Sequence, residues 1–281
     1  MSYSNYNTFN AVIGDGVLTV TFDNPPVNIQ DIPMLNDLYN LCNSLENDKS
    51  IKVVVFESAH PQIFIAHADI AFLKDMSTEP VSMAEVKLSQ LQMVLNRISK
   101  LPQATIAKIE GFCRGGGNEF AMACDMRFAA RGKAVFMQME VGMGILPCGG
   151  GTSRMAKITG LGNALEIILS AKDFSADEAY NLKLVNKALD PNEIGCYVDL
   201  LANRISKFPS ESITACKKTI HASLDMPTDD CLKVEAYELY QATSQTPAIK
   251  RFKQAYDTNF QNDMNNQINF ESLLMTLQDV K

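Results

Sequence analysis

Residues 111–120 read Gly-Phe-Cys-Arg-Gly-Gly-Gly-Asn-Glu-Phe, so three consecutive glycines stand directly before an apolar segment of helical character. Glycine is favoured where the backbone takes a positive φ or where another group approaches closely. A helix that begins at these glycines directs unpaired N–H groups and the positive end of its dipole outward. Such a place stabilises a developing negative charge, and Glu119 lies within about one helical turn of it. The stretch therefore predicts an anion site beside a candidate acid or base. The alternative is a site of close helix–strand packing, in which Glu119 only complements the helix dipole.

Strands and helices alternate on both sides of this loop. Residues 16–22 alternate apolar and polar side chains, which indicates a half-buried strand, and residues 52–56 form a β-branched run typical of a strand buried on both faces. Apolar residues at helical spacing predict an amphipathic helix over 33–48. Further helices are predicted near 83–100 and 117–124, and further strands near 104–109 and 126–129. This order favours an α/β core with right-handed crossovers.

The pattern becomes helical from about residue 150 onward. Only residues 184–188 remain a plausible strand, residues 257–267 are polar enough for a linker, and residues 268–277 carry the apolar face of a terminal helix. Helices are predicted over 152–159, 161–170, 175–182, 194–207, 210–224 and 229–243. We therefore divide the chain into a core with the active site, residues 1–205, and a helical C-terminal region with a terminal tail, residues 206–281.

Composition excludes several classes of protein. The 281 residues are 46% hydrophobic and 20% charged, which is ordinary for a globular protein. A net charge of −7 without a basic block argues against nucleic acid or an anionic membrane as a general partner. No apolar run reaches the roughly 18 residues of a membrane span, and the N-terminus shows no secretory pattern, so we expect a cytoplasmic protein. Seven cysteines without a C-x-x-C pair and three scattered histidines give no reason to expect a metal site.

Two more segments carry candidate functional residues. Residues 64–70 read Phe-Ile-Ala-His-Ala-Asp-Ile, where small residues would leave N–H groups open to a ligand and Asp69 can cap a helix starting at Ile70. An ordinary strand–helix junction is the alternative. In the segment 134–152, Glu140 has a markedly apolar setting, which would raise its pKa and suit proton transfer. The alternative for Glu140 is a solvent-facing residue in a loop.

Taken together and in this order, the three segments resemble the crotonase (enoyl-CoA hydratase/isomerase) superfamily, and so does Asn24-Pro25-Pro26-Val27-Asn28. The resemblance runs over about residues 16–190. It implies an α/β fold, a crotonase-like spiral core of repeated ββα units, with a helical C-terminal trimerisation region and trimers often stacked as hexamers. It also implies an acyl-CoA substrate and no metal or redox cofactor, because coenzyme A is part of the substrate.

The same resemblance implies the roles of individual residues. The N–H groups of Ala68 and Gly116 would bind the thioester oxygen as an oxyanion hole. Glu119 would orient and deprotonate water, and Glu140 would exchange the α-proton. Coenzyme A binding would involve Ala66, His67, Ala68, Ile70 and Gly116.

The resemblance leaves several alternatives open. Related double-bond isomerases typically lack a carboxylate at the position of Glu119, so having both glutamates favours hydration over isomerisation. Other enolate chemistry, such as decarboxylation or thioester hydrolysis, is a further alternative, and so is a protein that binds acyl-CoA without turnover. His67 stands where many members have glycine, and it either contacts the nucleotide part of coenzyme A or is a tolerated substitution. The acyl group itself is not defined by the sequence.

Overall fold

The computed structural model describes residues 3–74, 79, 81–258 and 263–277. Its strands are β1 (Phe9–Gly14), β2 (Val17–Phe22), β3 (Val53–Ser58), β4 (Ile63–Ile65), β5 (Ala104–Ile109), β6 (Phe112–Arg114), β7 (Met126–Ala130), β8 (Val135–Met137), β9 (Phe174–Ser175) and β10 (Lys187–Leu189). The helices of the first part are α1 (Ile32–Leu45), α2 (Ala71–Lys74), α3 (Gln90–Lys100), α4 (Gly116–Ala123), a 3₁₀ turn (Glu140–Met143), α5 (Gly151–Thr159), α6 (Leu161–Ser170) and α7 (Ala176–Asn181). They are followed by α8 (Ile194–Ser206), α9 (Ser210–Ser223), α10 (Thr228–Thr243), α11 (Thr246–Asp257), α12 (Met264–Ile268) and α13 (Phe270–Thr276).

The strands form two sheets, and the chain alternates between them. The larger sheet has the order β1-β2-β3-β5-β7-β10, and the smaller one has the order β4-β6-β8-β9. Strands β3 to β8 therefore alternate between the two sheets. Helices α3, α4 and α5 follow the successive strand pairs β3-β4, β5-β6 and β7-β8. Within each sheet these neighbours pair in parallel. This is the predicted spiral of ββα units.

A cluster of aromatic rings fills the space inside the spiral. Phe22, Phe56, Phe64 and Phe120 are fully buried. The ring of Phe120 lies 5.3 Å from that of Phe22 and 5.0 Å from that of Phe56, in edge-to-face contact. Because Phe120 directly follows Glu119 on α4, the same packing fixes the helix that begins at the glycine loop.

Helix α8 covers the opposite face of the large sheet. Ile194 and Val198 of α8 pack on Val53, Val55 and Ile106 of the central strands. Strand β3 is therefore buried on both faces, as its β-branched sequence predicts.

Helix α9 joins the remaining C-terminal helices to the core through polar contacts and through the apolar side chain of Ile213. Lys217 Nζ donates to the Gln103 carbonyl at 2.6 Å and lies 2.7 Å from the Asp125 carboxylate. The predicted helical C-terminal region is present, and the division of the chain at residue 205 stays a prediction. In the part of the chain that the structure describes, we find no helix with the length and apolar character needed to cross a bilayer.

Three local expectations from the sequence were wrong. Helix α3 begins at Gln90 rather than near 83, because Ser89 and Gln92 form a capping box and Met83, before it, is 89% exposed. The late strand lies at Lys187–Leu189 instead of 184–188. The stretch 257–267 is not a uniform linker, since α11 reaches Asp257 and α12 begins at Met264, with residues 259–262 outside the described ones.

We predict that Gly117→Ala destabilises the fold by about 3 kcal/mol, the upper end of the typical cost of overpacking. A Cβ at Gly117 would lie well inside the van der Waals distance of the Ile65 carbonyl oxygen, and backbone atoms of β4 cannot yield as a flexible side chain does. Urea unfolding followed by circular dichroism measures the change.

Gly162→Ala is the matched control, because it also lies in a helix and a Cβ there meets nothing within 4 Å. We expect this variant to be neutral or slightly more stable, since alanine is the better helix former. Equal stability of the two variants would contradict the close-approach argument.

Candidate active site

The glycine loop leaves the first N–H groups of α4 facing outward. Gly115 has a φ of 47°, its N–H donates to the Met137 carbonyl at 2.9 Å, and α4 begins at Gly116 without a side-chain cap. An uncapped helix start exposes unsatisfied N–H groups and the positive end of the helix dipole. The loop therefore has the anion-binding geometry that its sequence predicts.

A second free N–H lies directly beside the first. Gln30 and Ala68 form a parallel bridge in which Gln30 donates to the His67 carbonyl at 2.9 Å and Asp69 donates to the Gln30 carbonyl at 3.0 Å. This pattern turns the N–H of Ala68 itself away from Gln30. A Cβ at Gly116 would lie 2.9 Å from the Ala68 nitrogen, so only glycine permits this approach. Within the described residues neither N–H has an acceptor, and the structure thus brings together both predicted oxyanion donors.

Glu119 lies in the first turn of α4 with its side chain almost fully buried. Its Oε1 accepts a 2.7 Å hydrogen bond from the Gly151 N–H at the start of α5. Burial raises the pKa of Glu119 to about 7, the N–H groups of Gly151 and Gly149 oppose this shift, and the charge of Glu140 adds to it. The carboxyl therefore changes its protonation state close to neutral pH, which suits general acid–base chemistry.

Glu140 begins the 3₁₀ turn and is only 9% exposed. Burial raises the pKa of Glu140, while nearby backbone N–H groups and the Gln138 amide lower it. The direction of this shift agrees with the apolar setting read from the sequence, and a solvent-facing Glu140 is excluded.

A short chain of amides holds Glu140 in place. Asn118 Nδ2 donates to Gln138 Oε1 at 2.8 Å, and Gln138 Nε2 donates to Glu140 Oε2 at 3.2 Å. Neither amide was predicted from the sequence, although Asn118 stands next to Glu119 and Gln138 stands two residues before Glu140. Closeness in sequence to Glu119 and Glu140 was the only sign that these two amides belong to the site.

Two close approaches locate the carboxyls in the candidate active site. A Cβ at Gly115 would lie 3.1 Å from Glu140 Oε1, so Glu140 borders the pair of free N–H groups. A Cβ at Gly149 would lie 2.5 Å from Glu119 Oε2, so the Glu119 carboxyl borders the entrance to α5. Glu140 therefore lies beside the glycine loop, and Glu119 lies beside the start of α5.

The residues predicted to bind coenzyme A form the strand end beside these donors. Ala66, His67 and Ala68 are partly exposed and Ile70 is 52% exposed, so these four are open to a ligand. Gly116, the fifth predicted contact, is buried. The His67 ring turns back on the chain, with Nδ1 2.9 Å from the Ala68 carbonyl oxygen. Asp69 caps α2 by accepting a 2.9 Å hydrogen bond from the Ala71 N–H. Helix α2 begins at Ala71, one residue later than expected. The roles of these residues stay predictions, as does the expectation that no metal or separate cofactor is needed.

Comparisons with known proteins agree with this geometry. The sequence model of the enoyl-CoA hydratase/isomerase family matches residues 12–274. The short-chain-enoyl-CoA hydratase of Clostridium acetobutylicum is 32% identical over 84% of this chain and 90% of its own length. The crotonyl-CoA hydratase of Syntrophomonas wolfei is also 32% identical, over 78% of this chain and 84% of its own length.

Solved structures share the fold. The enoyl-CoA hydratase of Bacillus anthracis superposes with a TM-score of 0.81 at 24% identity, covering 90% of this chain and 97% of that one. DspI of Pseudomonas aeruginosa superposes with a TM-score of 0.83 at 25% identity, covering 92% of this chain and 97% of that one. With the family match over nearly the whole length and the spiral core in place, the chain belongs to the enoyl-CoA hydratase/isomerase family.

Proposed function

We propose that this protein hydrates 2-enoyl-CoA thioesters to 3-hydroxyacyl-CoA, or catalyses the reverse dehydration. The observation that carries the proposal is the pair of buried carboxyls, Glu119 and Glu140, which interact electrostatically beside two free N–H groups. The names of the bacterial relatives, a short-chain-enoyl-CoA hydratase and a crotonyl-CoA hydratase, support it. Coenzyme A enters as part of the substrate, and the proposed reaction uses no other cofactor.

In this reaction the N–H groups of Ala68 and Gly116 bind the thioester oxygen. Water adds to the β-carbon, and the electron pair of the double bond moves through the α-carbon onto that oxygen. Fixed amide dipoles stabilise the resulting enolate without having to reorganise, and loss of one such donor typically costs about 3 kcal/mol.

The two carboxyls divide the proton transfers. The ionised Glu119 carboxylate takes a proton from water as the water oxygen bonds to the β-carbon. Glu140, protonated, gives a proton to the α-carbon as the enolate collapses to the thioester. Repulsion between the two charges favours the state in which the pair holds one proton, and the proposed reaction uses the form with that proton on Glu140.

We predict that Glu119→Gln lowers kcat for hydration of crotonyl-CoA by about 100-fold or more, as expected when a general base is lost. Loss of absorbance of the conjugated enoyl thioester follows the reaction. Glu166→Gln, on the exposed surface of α6, is the matched control and should hydrate at the wild-type rate.

The same variant separates hydration from isomerisation. A double-bond isomerase needs only one carboxyl to carry its proton. The isomerase would be favoured if the wild type does not hydrate enoyl-CoA and if Glu119→Gln isomerises 3-enoyl to 2-enoyl thioesters at the wild-type rate. Hydration at the wild-type rate in Glu119→Gln would show that Glu119 is not the base.

We predict that kcat/KM for hydration rises with pH through an apparent pKa of about 7. Below this pH Glu119 holds a proton and cannot act as a base. This apparent pKa belongs to the coupled pair of carboxyls, Glu119 and Glu140. A profile that stays flat between about pH 5.5 and about pH 8.5 would contradict these protonation states.

The raised pKa of Glu119 is also visible without turnover. A carboxyl whose pKa is higher in the folded state binds more protons there, so its contribution to stability is present at low pH and is lost as pH rises from the ordinary value of 4.5 through about 7. Relative to the wild type, Glu119→Gln should therefore gain up to about 3 kcal/mol in unfolding free energy between these limits. Urea unfolding at both pH values measures this difference.

We further propose that the protein is a homotrimer, or a hexamer of stacked trimers. The C-terminal helices carry large apolar side chains that are each more than half exposed, namely Ile220, Tyr240, Phe252, Tyr256 and Ile268. Such a surface is typical of an interface between subunits. We expect a mass of three or six times 31.0 kDa by sedimentation equilibrium, and a single mass of 31.0 kDa would overturn the assembly. The cytoplasmic location remains an expectation from the sequence.

A further inference from the structure

Arg154 carries a positive charge at a place in α5 where the helix dipole disfavours it. It lies in the first turn of this helix, whereas cations are favoured in the last turn, at the negative end of the dipole. The side chain is partly buried, and among the described residues it forms no ion pair and donates only to a backbone carbonyl. The cation is therefore held by its contact with the backbone rather than by a carboxylate partner.

The guanidinium is folded back over the two residues that precede α5, Gly149 and Gly150, which we call the entry turn. Arg154 Nη1 donates to the Gly149 carbonyl at 2.9 Å. Gly150 has a φ of 99°, and a Cβ at this residue would overlap with Arg154 Nη1. Glycine at 150 thus permits both the backbone conformation and the close approach of the guanidinium.

The same entry turn borders Glu119 on its other side. A Cβ at Gly149 would lie 2.5 Å from Glu119 Oε2, and a hydrogen bond from the Gly149 N–H lowers the pKa of this carboxyl. Gly149 is therefore held at both ends, by Glu119 through its N–H and by Arg154 through its carbonyl. A displacement of the entry turn would take a hydrogen-bond donor away from the Glu119 carboxylate.

Arg154 and Glu119 also interact through their charges. Burial and the charge of Glu140 raise the pKa of Glu119, whereas the charge of Arg154 lowers it. Burial lowers the pKa of Arg154, and the charge of Glu119 opposes this shift. The attraction is thus present in both directions, without a direct ion pair.

The other titratable groups near this pair are neutral, paired or exposed. Burial raises the pKa of the two neighbouring thiols above its ordinary value of 9.0, so both are neutral near pH 7. The groups in question are the thiols of Cys124 and Cys148, Arg97 on α3 paired with Glu46, the exposed Lys100 on α3, Arg114 on β6 paired with Asp173, and Lys157 on α5 paired with Asp225.

We propose that Arg154 is a positioning residue for the base Glu119: its guanidinium holds the entry turn against the carboxyl and supplies a positive charge that favours the ionised form. Arg154 contacts neither water nor thioester in this role and acts through Gly149 and through its charge. The ionised form is the one that can take a proton from water, so this step rests on the proposed hydratase function.

The test compares pH profiles of kcat/KM for crotonyl-CoA in the wild type, Arg154→Gln, Arg154→Lys and Lys157→Met. Arg154→Gln removes the charge and keeps an amide donor, and Arg154→Lys keeps the charge. Lys157→Met is the matched control, because it removes a positive charge from the exposed side of the same helix.

We expect the acid limb of Arg154→Gln to move to higher pH by about 0.5–1 units, less than the shift from a direct ion pair because solvent screens the partly exposed guanidinium. This lowers kcat/KM about three- to tenfold at about pH 5.5 and leaves it nearly unchanged at about pH 8.5. Arg154→Lys and Lys157→Met should keep the wild-type limb. A merely structural role would lower kcat/KM equally at every pH, and that result, or equal shifts in Arg154→Gln and Arg154→Lys, would overturn the proposal.

A double-mutant cycle keeps this role separate from the reaction. Urea unfolding measures the cost of Arg154→Gln in the presence of Glu119 and in the Glu119→Gln background, at about pH 5.5 and about pH 8.5. Removing the positive charge raises the folded-state pKa of Glu119 further, so stability is lost as pH rises through that value. Arg154→Gln should therefore cost about 0.7–1.4 kcal/mol more at the higher pH when Glu119 is present, which is 0.5–1 pH units converted, and equal amounts at both pH values in the Glu119→Gln background.

The two measurements distinguish the possible failures. If no enoyl-CoA is hydrated but the unfolding cycle shows this coupling, the proposed function fails and Arg154 remains the charge that favours ionised Glu119. Hydration by the wild type with no coupling and no shift of the acid limb would overturn the role of Arg154 alone.

Discussion

The contact between the Glu119 carboxyl and the N-terminus of α5 holds the candidate active site together. Glu119 belongs to the ββα unit that ends in α4, and Gly151 opens the helix of the next unit, so their 2.7 Å hydrogen bond joins two successive turns of the spiral. The positive end of the α5 dipole lies where the buried carboxylate would otherwise have no partner. This contact requires glycine at 149 and 151, because a Cβ at either position would lie within about 2.6 Å of a Glu119 oxygen.

Burial of the Glu119 carboxyl destabilises its ionised form, and neighbouring residues offset this loss of stability. A pKa raised from 4.5 to about 7 corresponds to about 3 kcal/mol against the ionised form. The next residue, Phe120, is fully buried among the phenylalanine rings, and burying such a side chain contributes about 1.5–3 kcal/mol. One turn of α4 thus carries both the functional group that destabilises the site and the anchor that holds it.

Local sequence signals predicted the parts of the site that depend on local geometry. The glycines at 115–117, the strands near 104–109 and 126–129, and the apolar setting of Glu140 follow from short patterns of residue type. The amides of Asn118 and Gln138 were missed because their hydrogen bonds join separate elements, which no periodicity reports. The helix predicted over 83–100 was too long because the spacing of apolar residues does not show whether they pack against other elements. Apolar spacing continues upstream of Gln90, but the surface against which a helix would pack does not.

In the proposed reaction, backbone atoms and side-chain atoms carry different parts of the chemistry. The oxyanion donors are backbone N–H groups of Ala68 and Gly116, which side-chain substitution cannot change unless the spiral itself moves. The two carboxyls are side chains, and hydrogen bonds from the Gly151 N–H and the Gln138 amide position them. Side-chain substitution can therefore change the proton transfers while the enolate site stays in place, because the close approach of Gly116 to Ala68 is a contact of the backbone.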